Sequence, residues 1–172
     1  MMKFLLPIVV TLVFYSESIF VMLFPPELFG KHTIVVPHFL LLLLCFIGIY
    51  LGKKTALIYA VIFGLLFDLY YTGIFGVYLY LFPIMVFLVI QIMRVVNANV
   101  FVSSAVSLLA MTMTEFAVFF LYLLLQKTGF TVNQFIEWRL FPTLLVNAAA
   151  LLVFSYPTKV LLFKVKKHMN NE

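Results

Sequence analysis

Residues 55–76 read TALIYAVIFGLLFDLYYTGIFG, and the rest of the chain is expected to be organised around this run. It is apolar except for one acid, Asp68, set deep inside it. Gly64 stands four residues before the acid, Ala60 four before that, and Ala56 four before that. A spacing of four keeps side chains on one helix face, so Ala56, Ala60 and Gly64 form a stripe of small residues ending at a carboxylate. Such a stripe lets a second helix approach closely in lipid, where packing drives association. An acid at that depth is costly without a partner and marks a functional-site candidate.

A run like this needs a solvent that matches it. The 172 residues are 66% hydrophobic and only 10% charged. A soluble domain of this size could not hide that much apolar surface, so the chain is expected to be an integral membrane protein folded as one all-α domain, residues 1–172. At about 20 apolar residues per span, the breaks in hydropathy leave six segments, at 4–24, 37–52, 55–72, 77–93, 100–125 and 140–163. The first stops at Pro25 and Pro26, the second ahead of Lys53 and Lys54, and the fourth at Arg94. The second and third are the shortest and have room for a turn or re-entrant element at their outer ends.

Orientation follows from the basic residues. With the N-terminus inside, cytoplasmic ends collect Lys3, Lys53, Lys54, Arg94, Lys159, Lys164, Lys166 and Lys167, against Lys31, Lys127 and Arg139 outside. This bias satisfies the positive-inside rule and predicts both termini in the cytoplasm. The first segment is expected to be retained, because signal-peptide cleavage needs small residues after the apolar core and the first alanine is Ala56. The basic tail KVKKHMNNE reads as a topology anchor against anionic lipid, not a nucleic-acid patch. The single cysteine, Cys45, excludes an intrachain disulfide and a thiolate metal cluster.

Glu17, Asp68 and Glu115 fall on the first, third and fifth spans, which run in the same direction. Each follows its cytoplasmic boundary by about 14 or 15 residues, roughly 21–23 Å at the helical rise. His38, on the second span, comes out at a similar level, and Arg139 opens the sixth slightly further out. The first reading of this layer is structural, with the acids, His38, Arg139, Thr114 and Asn147 satisfying one another. A docking site at the outer surface is the second, and a proton path or carboxylate pair the third. Depth does not say which helix faces converge. No phosphate loop, metalloprotease motif or nucleophile elbow occurs, so neither catalysis nor a cofactor or metal is expected. A lipid-head-group enzyme built on Glu17, Asp68 and Arg139 would have no motif behind it.

Residues 25–36, PPELFGKHTIVV, form a short outer loop. In KTGFTVNQFIEWR, Thr131 and Gln134 match a capping box, which predicts a short helix continuing toward the sixth span. Phe130, Phe135 and Trp138 would then lie at the membrane interface, and Pro142 is placed to kink the sixth span.

The chain resembles the MreD family of bacterial rod shape-determining membrane proteins, especially its Bacillus-type members. The resemblance rests on FLLPIVVTLVFYSESIF, HFLLLLL, GLLFDLYYTGIFGVYLY, TEFAVF and RLFPTLLVNAAALLV in order. Its most specific block is Gly64, Asp68 and Gly76; Phe75 departs from the leucine more often found there. The resemblance implies a six-helix fold similar to the substrate-binding subunits of energy-coupling-factor vitamin transporters. It implies no catalysis. It implies a scaffold in side-wall peptidoglycan synthesis, paired with the bitopic protein MreC and acting beside RodA, a class B penicillin-binding protein and MreB. Asp68 carries over as a family motif residue, and dimerisation stays open. The rival is a vitamin-binding transporter subunit of the same fold. Those subunits dock through alanines spaced by four on the first helix, whereas here that helix has none and the stripe sits on the third.

Overall fold

The computed structural model describes residues 5–25, 33–96 and 99–170, and every regular element among them is helical. In order these are α1 (Leu5–Leu23), α2 (Phe39–Tyr50), α3 (Lys53–Phe67), α4 (Val77–Met93), α5 (Val100–Leu124), α6 (Val132–Phe135) and α7 (Phe141–Asn170). One wider, π-helical turn extends α3 over Asp68–Thr72, and another joins α6 to α7 over Ile136–Leu140. Four of the resulting helices are long and apolar enough to cross a membrane: Leu5–Leu23, Lys53–Thr72, Val100–Leu124 and Val132–Met169. Phe39–Tyr50 and Val77–Met93 are shorter apolar helices. Together they make the expected six-helix bundle.

The centre of the bundle is α2, not the 55–76 helix. Ten of its 12 residues are buried, and it packs against α1, α3, α4, α5 and α7. The sequence FLLLLLCFIGIY is apolar on every side, as a helix enclosed all round must be. Cys45 is one of its buried residues. By contrast, α1 buries only Leu6, Val10, Phe14 and Glu17, a single face at helical spacing, and leaves Ile8, Leu12, Tyr15 and Ile19 exposed as a lipid-facing surface would be.

At about 18 Å, α2 is too short to span a hydrocarbon core of about 30 Å. Residues 33–38 make up the difference as non-helical chain, with Val35, Pro37 and His38 buried. The short second span thus has a non-helical outer end, and its helix runs from Phe39 to Tyr50, within the expected 37–52. Lys53 and Lys54 open α3 instead of closing the span before them. The preceding loop residues 26–32 lie outside the described residues.

The last helix exceeds its expected span at both ends. The capping box is present: Gln134 N–H donates to Thr131 Oγ1 and Thr131 N–H to Gln134 Oε1. It starts the helix at Val132, and the basic tail continues it, so Val132–Met169 runs about 57 Å. Phe135 is not an interfacial anchor. It is 1% exposed and stacks on Phe119 with ring centroids 4.2 Å apart. Phe130 and Trp138 instead meet edge to face.

The small-residue stripe is an internal seam. Ala56, Ala60 and Gly64 are buried, and α3 packs most extensively on α4. A Cβ on Gly64 would lie 2.5 Å from the Tyr78 carbonyl oxygen and 3.1 Å from Leu79 Cα, so only glycine permits this backbone approach. Gly64→Ala should therefore force the two helices apart. The expected loss is about 1–3 kcal/mol, the usual cost of overpacking, measured by equilibrium unfolding in mixed micelles. Ile58→Ala, on the exposed face of α3, should cost less than half as much.

Candidate functional site

Helices that begin inside a bilayer leave N–H groups without water, and each needs an acceptor from the protein. Both short helices face this problem, and an acid from the preceding helix answers it in each case.

On α3, Asp68 reaches across the turn to the start of α4. Its Oδ2 accepts from Gly76 N–H (2.9 Å) and Leu79 N–H (3.0 Å), and its Oδ1 from Tyr78 N–H (2.8 Å). The carboxylate is 1% exposed and complements the positive end of the α4 dipole. The two family-motif glycines make this reach feasible. Gly64 brings the α4 backbone to the α3 surface, and Gly76, at φ 102°, turns the chain in a left-handed conformation that residues with a Cβ disfavour. Thr72 Oγ1 donates to the Asp68 carbonyl, and Tyr71 hydroxyl donates to the Phe14 carbonyl, which joins the π turn to α1.

On α1, Glu17 does the equivalent for α2: its Oε1 accepts from Leu40 N–H at 2.8 Å. Its Oε2, also buried, has no hydrogen-bond partner among the described residues.

Glu115, on α5, makes the third arrangement. Its Oε1 lies 2.6 Å from His38 Nε2, an N–H donating to a carboxylate, and its Oε2 accepts from Arg139 Nε at 2.7 Å. Arg139 Nη2 reaches Oε1 at 3.4 Å. Glu115 and His38 have no exposed side-chain surface, whereas Arg139 keeps 25% of its own. The ion pair thus fastens the start of α2 and the π turn before α7 to α5.

Backbone groups of Ile34, Val36 and His38 find their partners in the last helix. His38 N–H donates to Asn147 Oδ1 (2.8 Å), and Asn147 Nδ2 donates back to the Val36 carbonyl (3.0 Å). Val36 N–H donates to Thr143 Oγ1 (3.1 Å). Pro142 has no N–H to return to Trp138, four residues back, and the Trp138 carbonyl accepts from Ile34 N–H at 2.7 Å. Pro142 thus serves an exchange of hydrogen bonds in a helix that continues through it.

The expected layer is therefore three separate devices. Glu115, His38 and Arg139 come together, while Glu17 and Asp68 each bind the helix end nearest to them, and no direct bond joins the three acids among the described residues. Thr114 returns its hydroxyl to Ala110 on its own helix. Thr143 was not among the residues singled out from the sequence; its signal is a Thr and an Asn, Thr143 and Asn147, spaced by four inside an apolar helix.

Fold and site together define a multi-pass helical membrane protein whose interior charges hold its own helix ends. Residues 2–165 match the family model described as rod shape-determining protein MreD. The chain belongs to the MreD family. It is 37% identical over all 172 residues to the rod shape-determining protein MreD of Bacillus subtilis, covering that protein completely. It is also 29% identical over 133 residues to the cell shape-determining protein MreD of Streptococcus pneumoniae, spanning 74% of this chain and 78% of that one. No solved structure matches it. The vitamin-transporter reading gains no support, since both relatives are named for cell shape.

Proposed function

We propose that this chain is a non-enzymatic scaffold of the machinery that elongates rod-shaped cells, supporting side-wall peptidoglycan synthesis from the cytoplasmic membrane. The observation that carries this reading is the match to a rod shape-determining protein along the entire chain. The geometry agrees with it: Asp68 and Glu115 are fully engaged in holding helix ends, which suits a rigid docking body better than a reaction centre. Both termini face the cytoplasm, where the lysines of the last helix meet anionic lipid. The partners are an MreC-like bitopic protein, RodA, a class B penicillin-binding protein and MreB, and the exposed apolar faces of the bundle are where membrane-embedded partners would bind.

The test is complementation. Expressed in Bacillus subtilis depleted of its own relative, the chain should restore rods, and a tagged copy should co-purify with a bitopic partner. Cells that stay round while the chain is inserted at normal abundance would overturn the proposal.

A further inference from the structure

The end of the bundle that carries Thr72 and Lys127 contains a cavity of about 400 Å³, within the size range of small-molecule sites. Among the described residues, one carboxyl and two basic side chains line it: Glu17, Lys127 and Arg139. Most of the remaining wall is aromatic, including Tyr71, Tyr78 and Phe130. The cap that Glu17 provides uses only Oε1. Its Oε2 is buried, unpartnered among the described residues, and belongs to a side chain that is 3% exposed and faces this cavity. A buried carboxyl oxygen in a membrane span requires a donor. Lys127 is exposed and can meet a ligand at the rim, and the Arg139 guanidinium, held by Glu115, adds a second fixed positive charge.

We propose that the cavity binds one zwitterion, its ammonium donating to Glu17 Oε2 and its anionic group facing Lys127 and Arg139. The aromatic wall suits this ligand, because ring faces attract an ammonium and the rings supply apolar contact to whatever carries it. Two sources share the chemistry: the head group of an aminophospholipid, and a free amino phosphate. The site does not depend on the shape-determining role.

The test uses the full chain in detergent, with phosphatidylethanolamine, phosphatidylglycerol and soluble phosphoethanolamine as probes, read by native mass spectrometry and calorimetry. One saturable phosphatidylethanolamine per chain is expected, with phosphatidylglycerol, which lacks the amine, at least tenfold weaker. Glu17→Gln keeps an acceptor oxygen for Leu40 N–H but replaces Oε2 with an amide nitrogen that cannot accept from an ammonium, and should weaken phosphatidylethanolamine about tenfold. Lys127→Ala, at an exposed position that cannot unfold the bundle, should weaken it several-fold. Phosphoethanolamine binding as tightly as the lipid would support the site and assign it to a free zwitterion. Equal binding of the two lipids, unchanged affinity in both variants, or no saturable binding of any probe would overturn the proposal.

Discussion

Asp68→Ala should be among the most damaging single substitutions in this chain, lowering stability by about 3 kcal/mol. The carboxylate is the shared acceptor of three backbone N–H groups. Leaving a buried donor unmade costs about 1–3 kcal/mol. Tyr78 is buried and its N–H bears the whole penalty, whereas Gly76 and Leu79 are only partly covered, which leaves their N–H groups more room to find another acceptor. Asp68→Asn keeps one acceptor oxygen and should fall between wild type and alanine. Unfolding in mixed micelles measures both. Because Gly64 packs against the same Tyr78 and Leu79 backbone, Gly64→Ala and Asp68→Ala should be non-additive, the double variant losing less than the sum.

Glu115→Ala should cost a similar amount by a different route. Removing one partner of a buried ion pair typically costs about 3–5 kcal/mol, because the other charge stays buried. The lower end applies here: Arg139 is a quarter exposed and can turn its guanidinium toward the surface, while His38 loses its Nε2 partner in a dry interior. Glu115→Gln preserves the shape and should be milder. A double-mutant cycle with Arg139→Ala separates the pair's coupling from the damage at His38.

These expectations show which parts of the structure the residues announced. The stripe Ala56, Ala60, Gly64 and the acid beyond it were visible because helical spacing alone puts them on one face. The Thr131–Gln134 cap was visible because its two hydrogen bonds are local. Depth along each span put Glu17, Asp68, Glu115 and His38 at a similar level, with Arg139 slightly further out. It carries no information on azimuth, so it could not show that Glu115 meets His38 and Arg139 whereas Glu17 and Asp68 do not. Each of those acids instead meets the nearest helix start, and locating that start required knowing how short α2 and α4 are. The central position of α2 was harder to see, since an uncharged run fits a lipid-facing helix as well as an enclosed one. The non-helical stretch 33–38 was legible only as a shortage of helix length, and its partners Thr143 and Asn147 lie more than a hundred residues away.

We infer that the interior acids hold the two short helices in place and that the cell uses the bundle rather than a reaction. The most direct test measures folded protein in the membrane and the rod-shape index of the same depleted Bacillus subtilis cells, for Gly64→Ala, Asp68→Ala, Asp68→Asn and Glu115→Ala. All four should lie on one line, with shape lost only as far as folded protein is lost. An Asp68→Ala or Glu115→Ala chain that accumulates and folds like wild type yet leaves the cells round would show that these acids do more than hold the fold.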